Sequence, residues 1–116
     1  MDQVTTIATL RALVEKFVSV RNWAQFHSPK NLSMGIAVEA AELMDLFKWC
    51  SREESVQLMR RGRARTAAAD EIADIVIYCL AFANRTGIDI SEAVKRKVSK
   101  NRRKYPVRKF AAPRQR

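Results

Sequence analysis

Leu32-Ser33-Met34-Gly35-Ile36-Ala37-Val38-Glu39-Ala40-Ala41-Glu42-Leu43-Met44-Asp45-Leu46 is the stretch on which the fold turns. Its apolar residues Leu32, Ile36, Leu43 and Leu46 recur at helical spacing, and on a wheel of about 100° per residue Glu39 falls inside their arc. After 28 intervening residues the pattern returns as Glu71-Ile72-Ala73-Asp74, with Glu71 between Tyr78 and the pair Ile75 and Phe82. Helical residues three apart share a face, so each segment carries two carboxylates side by side. A lone Glu-x-x-Glu pair reads as a solvated helix face, lying opposite the apolar arc as Asp45 and Asp70 do. These two pairs instead occupy core-facing positions, where an unpaired carboxylate is costly. Four such acids repel one another unless a positive charge sits among them. A hard divalent cation with oxygen ligands, Mg²⁺ or Mn²⁺, meets that need.

Working outward, Ile7, Leu10, Val14, Phe17 and Val18 repeat at helical spacing and predict a first helix over 3–25. Ser28 as N-cap with Pro29 at the first helical position starts a second helix running to Trp49. Ser51-Arg52-Glu53-Glu54 reads as a capping box opening a short helix that ends near Gly62. The Arg-rich stretch 60–65 reads as a basic linker. A further helix covers 66–86, with Gly87 as its terminator. Asp89-Ile90-Ser91-Glu92 reads as a second capping box, and the last helix continues to Lys104 before Pro106 stops it. Residues 107–116 lack periodicity and read as a frayed tail. No strand-type alternation and no repeat stands out. The chain is expected to be all-α, an antiparallel bundle of four main helices plus a short linking helix.

The length of 116 residues fits one domain, placed at 1–107 with a basic tail at 108–116. So small a domain hides a modest share of its surface, and a four-acid pocket within it favours an oligomer that extends the interior. No basic n-region precedes an apolar segment, and no run of 18 apolar residues occurs, which argues against secretion or membrane insertion. Cys50 and Cys79 each fall in apolar helical patterns and read as reduced thiols of a cytoplasmic protein. The net charge of +10 is uneven: residues 95–116 hold 11 of the 22 Lys and Arg and no acid. Such an end can bind nucleic acid, grip a small polyanion, or simply be solvated.

Together these segments resemble the MazG-like, all-α nucleoside triphosphate pyrophosphohydrolases, and their dCTP pyrophosphatase branch in particular. The likeness rests on Glu39-x-x-Glu42 followed by Glu71-x-x-Asp74, on the run from Arg21 through Trp23, His27 and Pro29 to Leu32, and on Glu42 to Trp49. Asp74-Ile75-Val76-Ile77-Tyr78 and Lys97-x-x-x-Asn101-x-x-Lys104-Tyr105-Pro106 extend it, so that it spans about residues 4–107; Phe110 to Arg116 have no counterpart. The resemblance implies hydrolysis of a nucleoside triphosphate to the monophosphate and pyrophosphate, Mg²⁺ dependence, and a homotetramer built as a dimer of dimers. It implies deoxynucleotide substrates, dCTP or a close relative, in nucleotide-pool house-cleaning.

On that reading Glu39, Glu42, Glu71 and Asp74 are both metal ligands and the catalytic acids. Lys97, Asn101 and Lys104, at i, i+4 and i+7 on one helical face, are placed to grip a triphosphate, with Tyr105 beside them. Trp23, Trp49 and Tyr78 offer flat faces for a nucleobase, although for any one of them taken alone a core position is the better reading. Tyr78 shares the arc of Glu71 and Asp74, and Trp49 lies about 20° from Glu42 on the wheel. His27, the single histidine, fits either a ligand contact or a corner role. The alternative is a basic helical module that binds nucleic acid or drives oligomerisation without catalysis. Acids on the apolar arc argue against a nucleic-acid interface, which they would weaken.

Overall fold

The computed structural model describes residues 1–114, and among them every regular element is helical. Helix α1 spans Ile7–Ser19, α2 Pro29–Asp45, α3 Arg52–Leu58, α4 Gly62–Thr86, α5 Ile90–Lys104 and α6 Val107–Phe110, with a 3₁₀ turn at Trp23–Phe26. Four long helices and a short linking helix were expected and are found.

Local chemistry accounts for most of the boundaries. The Ser28 hydroxyl accepts from the Asn31 amide at 3.1 Å, with Pro29 in the first turn of α2. The Ser51 box closes in both directions, the Ser51 amide donating to Glu54 Oε1 at 3.0 Å and the Glu54 amide to Ser51 Oγ at 3.1 Å. Those bonds to its charged form hold the Glu54 carboxyl below the usual range. Gly87 ends α4 at φ +74°, the left-handed conformation that glycine adopts without strain. Asp89 caps α5 by accepting from the Glu92 amide at 2.8 Å, and of the expected second box only this half forms.

Elsewhere the boundaries move. The first helix starts at Ile7, capped by Thr6, rather than at residue 3, and ends at Ser19 rather than 25. Asn22 then takes a left-handed φ of +54°, a conformation Asn tolerates better than most residues, and the chain turns back through the 3₁₀ segment. Helix α2 stops at Asp45, so Trp49 lies beyond its end rather than on an extension of the Glu42 face. Residues 62–65 belong to α4 and are no linker: Gly62 sits in the first turn, where its low propensity matters little, and Arg and Ala after it are strong helix formers. Residues 107–110 form α6 rather than a frayed tail, with Phe110 edge-on to Tyr105 at 5.4 Å between ring centroids. Of the tail at 108–116, residues 115–116 lie outside the described residues.

Contacts between α2 and α4 are the most extensive in the chain. Gly35 meets Tyr78 while Glu39 and Glu42 meet Glu71, so the two helices run antiparallel. Helix α1 also runs against α4, since Arg11 reaches Ala83 and Asn84 whereas Phe17 and Val18 lie near Ile77 and Ala81. The core is small: Val14, Val18, Leu32, Leu80 and Ala81 are buried together, with Leu10, Ala24, Tyr78, Phe82 and Ile90 packed on them. Helix α5 joins this core through Ile90 and otherwise packs lightly. The Cα radius of gyration is 17.6 Å, against about 13 Å for a compact chain of this length. The four-helix bundle expected from the sequence is therefore a three-helix core with α5 running out from it. No helix among the described residues is long and apolar enough to cross a membrane.

Arg11 pins α1 to the end of α4. Its Nε donates to Asn84 Oδ1 at 2.9 Å, and its terminal nitrogens donate to the Ile88 and Ala83 carbonyls at 2.9 and 3.0 Å. Asn84 Nδ2 returns a bond to the Arg11 carbonyl at 3.0 Å. A guanidinium thus satisfies carbonyls at a helix C-terminus, where positive charge is favoured. Arg11→Met keeps the apolar stem and removes these bonds; it should destabilise the fold by about 1–3 kcal/mol, measured as a fall in denaturation midpoint at unchanged m.

Candidate metal centre and adjoining cavity

The register of α2 against α4 brings carboxylate oxygens of Glu39, Glu42 and Glu71 within 4.8 Å of one another. Glu39 and Glu71 are half-buried, and the Oε2 atom of each is buried without any hydrogen-bond partner. Glu42 and Asp74, the second acids of each pair, are exposed at the rim. The four acids expected to point inward therefore divide into an inner pair and an outer pair. The cause is helical geometry: a residue three positions on is rotated by about 60° from the first, which carries it to the edge of the packed face.

The electrostatics follow from this crowding. Desolvation, followed by hydrogen bonding to Glu42 and Glu71 and repulsion from Glu42 and Asp74, pushes the Glu39 carboxyl up to about 7. Glu71 is raised as well, desolvation again leading and the charges of Glu42 and Asp74 adding to it. Both shifts report negative charge held where no positive side chain answers it. The donors are all carboxylate oxygens, the set a hard divalent cation takes, and two of them are orphaned. The residues present fit a divalent metal ion.

Beside the acids opens a cavity of about 250 Å³ lined by Phe17, Val18, Trp23, His27, Glu39, Asp74, Ile77, Tyr78 and Ala81. Phe17 and Trp23 meet edge-to-face at 5.5 Å, and the Arg21 guanidinium stacks 3.7 Å above the Phe17 ring while donating to the Phe17 carbonyl at 3.0 Å. The αL turn at Asn22 makes this wall, by folding Trp23 back onto α1. Larger surface clefts lie along α3 and along the start of α5; neither combines orphaned carboxylates with aromatic lining.

Of the residues singled out in the sequence, Glu39, Asp74, Trp23, His27 and Tyr78 thus share one cavity, and Glu42 and Glu71 adjoin it. Trp49 is 88% exposed and stands apart, with the Lys48 ammonium 5.8 Å from its ring. Lys97, Asn101 and Lys104 lie on α5, Tyr105 just after it, and none lines the cavity. Phe17 and Arg21 were not foreseen as site residues; Phe17 read as a core position and is 45% exposed. The proximity of Tyr78 to Asp74, one helical turn apart, was the signal that located the cavity.

Comparison with known proteins gives a consistent picture. The chain is 40% identical over 102 residues to the dCTP pyrophosphatase 1 of Bos taurus and 38% identical over 102 residues to that of Homo sapiens. Each match covers 88% of this chain and 60% of the relative, so the chain spans about three-fifths of the length of these proteins. A crystal structure of a pyrophosphatase from Archaeoglobus fulgidus DSM 4304 superposes with a TM-score of 0.78 at 40% identity, covering 82% of this chain and 87% of that one. The MazG-like family matches residues 34–112, a span holding both acidic pairs, α4 and α5. This chain belongs to the MazG-like family.

Proposed function

We propose that the chain is a nucleoside triphosphate pyrophosphohydrolase that splits a deoxynucleoside triphosphate, dCTP or a close relative, into monophosphate and pyrophosphate. The observation that carries this reading is the trio Glu39, Glu42 and Glu71, two of its oxygens buried and unpartnered, beside an aromatic cavity. The names of the related proteins support the same chemistry.

In this reading Glu39, Glu42, Glu71 and Asp74 hold Mg²⁺, with Mn²⁺ as a substitute. The bound ion supplies neutralisation of triphosphate charge and acidification of a water. Trp23, Tyr78 and Phe17 give the nucleoside apolar faces, and His27 lies at the cavity wall within reach of a polar group on it. Lys97, Asn101 and Lys104 form the phosphate-binding face of α5, with Tyr105 and Trp49 completing the substrate contacts. Since α5 and Trp49 stand away from the cavity of their own chain, assembly into a homotetramer, a dimer of dimers, supplies them across chains. Val38, Ile72 and Val76, exposed on α2 and α4, support such an assembly. The role is house-cleaning of the cytoplasmic nucleotide pool.

A panel of ribo- and deoxynucleoside triphosphates with Mg²⁺, scored for pyrophosphate release, tests the activity; no release from any member would refute it. Glu39→Gln and Asp74→Asn should each lower turnover by at least about 100-fold, the scale on which loss of an electrostatic group at a reacting centre acts. Their far-ultraviolet circular dichroism should match the wild type. Undiminished turnover in either variant removes that residue from the centre.

Metal binding has a readout independent of activity. Saturation of the wild type at 100 times the dissociation constant should stabilise it by about 2.7 kcal/mol, seen as a rise in Tm with Mg²⁺ that Glu39→Gln loses. The metal-free protein carries a matching pH signature. Because the folded-state value for Glu39, about 7, lies above the ordinary 4.5, its protonated form favours the fold. That contribution is complete below the unfolded value and disappears as pH rises through the folded one. Metal-free wild type should therefore melt alongside Glu39→Gln at pH 4, under the unfolded value, and below that variant at pH 8. Equal melting of the two at both pH values contradicts the crowding of these acids.

A further inference from the structure

We propose that Gly35 is a positioning residue: the notch it leaves in α2 seats the Tyr78 ring and thereby sets the clearance of the cavity beside the acids. A Cβ built at position 35 would stand 2.6 Å from Tyr78 Cε1, 2.8 Å from Cδ1 and 2.9 Å from Cζ. All three distances are shorter than side-chain carbons tolerate, and the three atoms form one continuous edge of the ring. The ring thus occupies the space that a side chain at 35 would fill.

The placement matters because of register. Gly35 lies one turn before Glu39 on α2, and Tyr78 one turn after Asp74 on α4, so the contact abuts the acidic cluster. Tyr78 touches Gly35 on one side and lines the cavity with Glu39, Asp74, Trp23 and His27 on the other. The ring also packs on the buried cluster of Leu32 and Leu80, and a close-packed interior leaves few directions for retreat. Added volume at 35 is therefore passed through the ring into the cavity. A mid-helix glycine is otherwise unfavourable relative to alanine, and the ring accounts for its place here. This inference rests on the nucleotide-hydrolysis reading for its functional consequence, and on the packing geometry alone for the displacement of the ring.

The experiment measures KM and kcat for the best deoxynucleotide of the panel in Gly35→Ala, Gly35→Val, Tyr78→Ala and the Gly35→Val/Tyr78→Ala double variant. KM should rise with the size of residue 35, by about tenfold for valine given the usual scale of overpacking, with kcat changing much less. In the Tyr78→Ala background, residue 35 should no longer affect KM. A KM that stays flat across the series while Tm falls would make Gly35 a packing residue only and overturn the proposal. So would a KM that rises equally with and without the Tyr78 ring. If Gly35→Val fails to fold, Gly35→Ala is read with the Tyr78 ring-proton resonances, assigned against Tyr105→Phe. Were the wild type to hydrolyse no nucleotide, the activity reading would fall, and these resonances would still decide on residue 35. They shift in Gly35→Ala if the ring is seated by the notch, and unmoved resonances overturn it.

Discussion

Two carboxylates facing each other across a helix pair, Glu39 on α2 and Glu71 on α4, are the constraint around which the rest of this molecule is arranged. Each keeps an oxygen away from water with no donor to meet it, and the desolvation that lifts both from their ordinary range opposes folding whenever they are ionised. A fold keeps such a pair only if its helices are held together by other means. Here those means are the antiparallel α2–α4 contact, the Leu32–Leu80 core beneath it and the Arg11 latch that fixes α1 against the end of α4. Stability is generated on one side of the helix pair and withdrawn on the other, the usual division between scaffold and site.

What could be read from the sequence and what could not follows the range of the interactions concerned. The acid pairs were legible because helical periodicity alone puts Glu39 and Glu71 on the apolar arc. Ser28, Ser51 and Gly87 were legible because caps are decided within four residues. The end of α1 was not, since Asn22 adopts its left-handed turn without a glycine to mark it, and the apolar pattern runs on into the 3₁₀ segment. The apolar pattern overruns the end of α2 by four residues for a similar reason: Leu46, Phe47 and Trp49 continue it although the backbone has left the helix at Asp45. Gly62 misled in the opposite sense, as a terminator where it begins a helix. Arg11 and Gly35 were missed because their partners, Asn84 and Tyr78, lie far along the chain, and spacing within one helix carries no trace of a contact between two.

The same distinction applies to the site. Glu39, Asp74, Trp23, His27 and Tyr78 converge on one cavity because α2, α4 and the turn after α1 are packed together. Helix α5 carries its own regular face of Lys97, Asn101 and Lys104, but packing within one chain does not bring that face to the cavity. Trp49, 88% exposed, shares this condition. A motif inferred as a unit is therefore held in two physical parts: one organised by the core, the other displayed on an arm and a loop.

Charge distribution gives that separation a physical sense. The acidic cluster and the basic C-terminal stretch would neutralise each other if they packed within one chain, and Lys or Arg side chains would then bond the orphaned oxygens. No such ion pair exists among the described residues, where Lys48 with Asp45 forms the one salt bridge. The cluster stays negative and the arm stays positive, each without a counter-charge from the other. On the proposed function, a nucleoside triphosphate carrying a divalent ion presents both signs at once, so the two parts would be complementary to a single ligand although they leave each other unpaired.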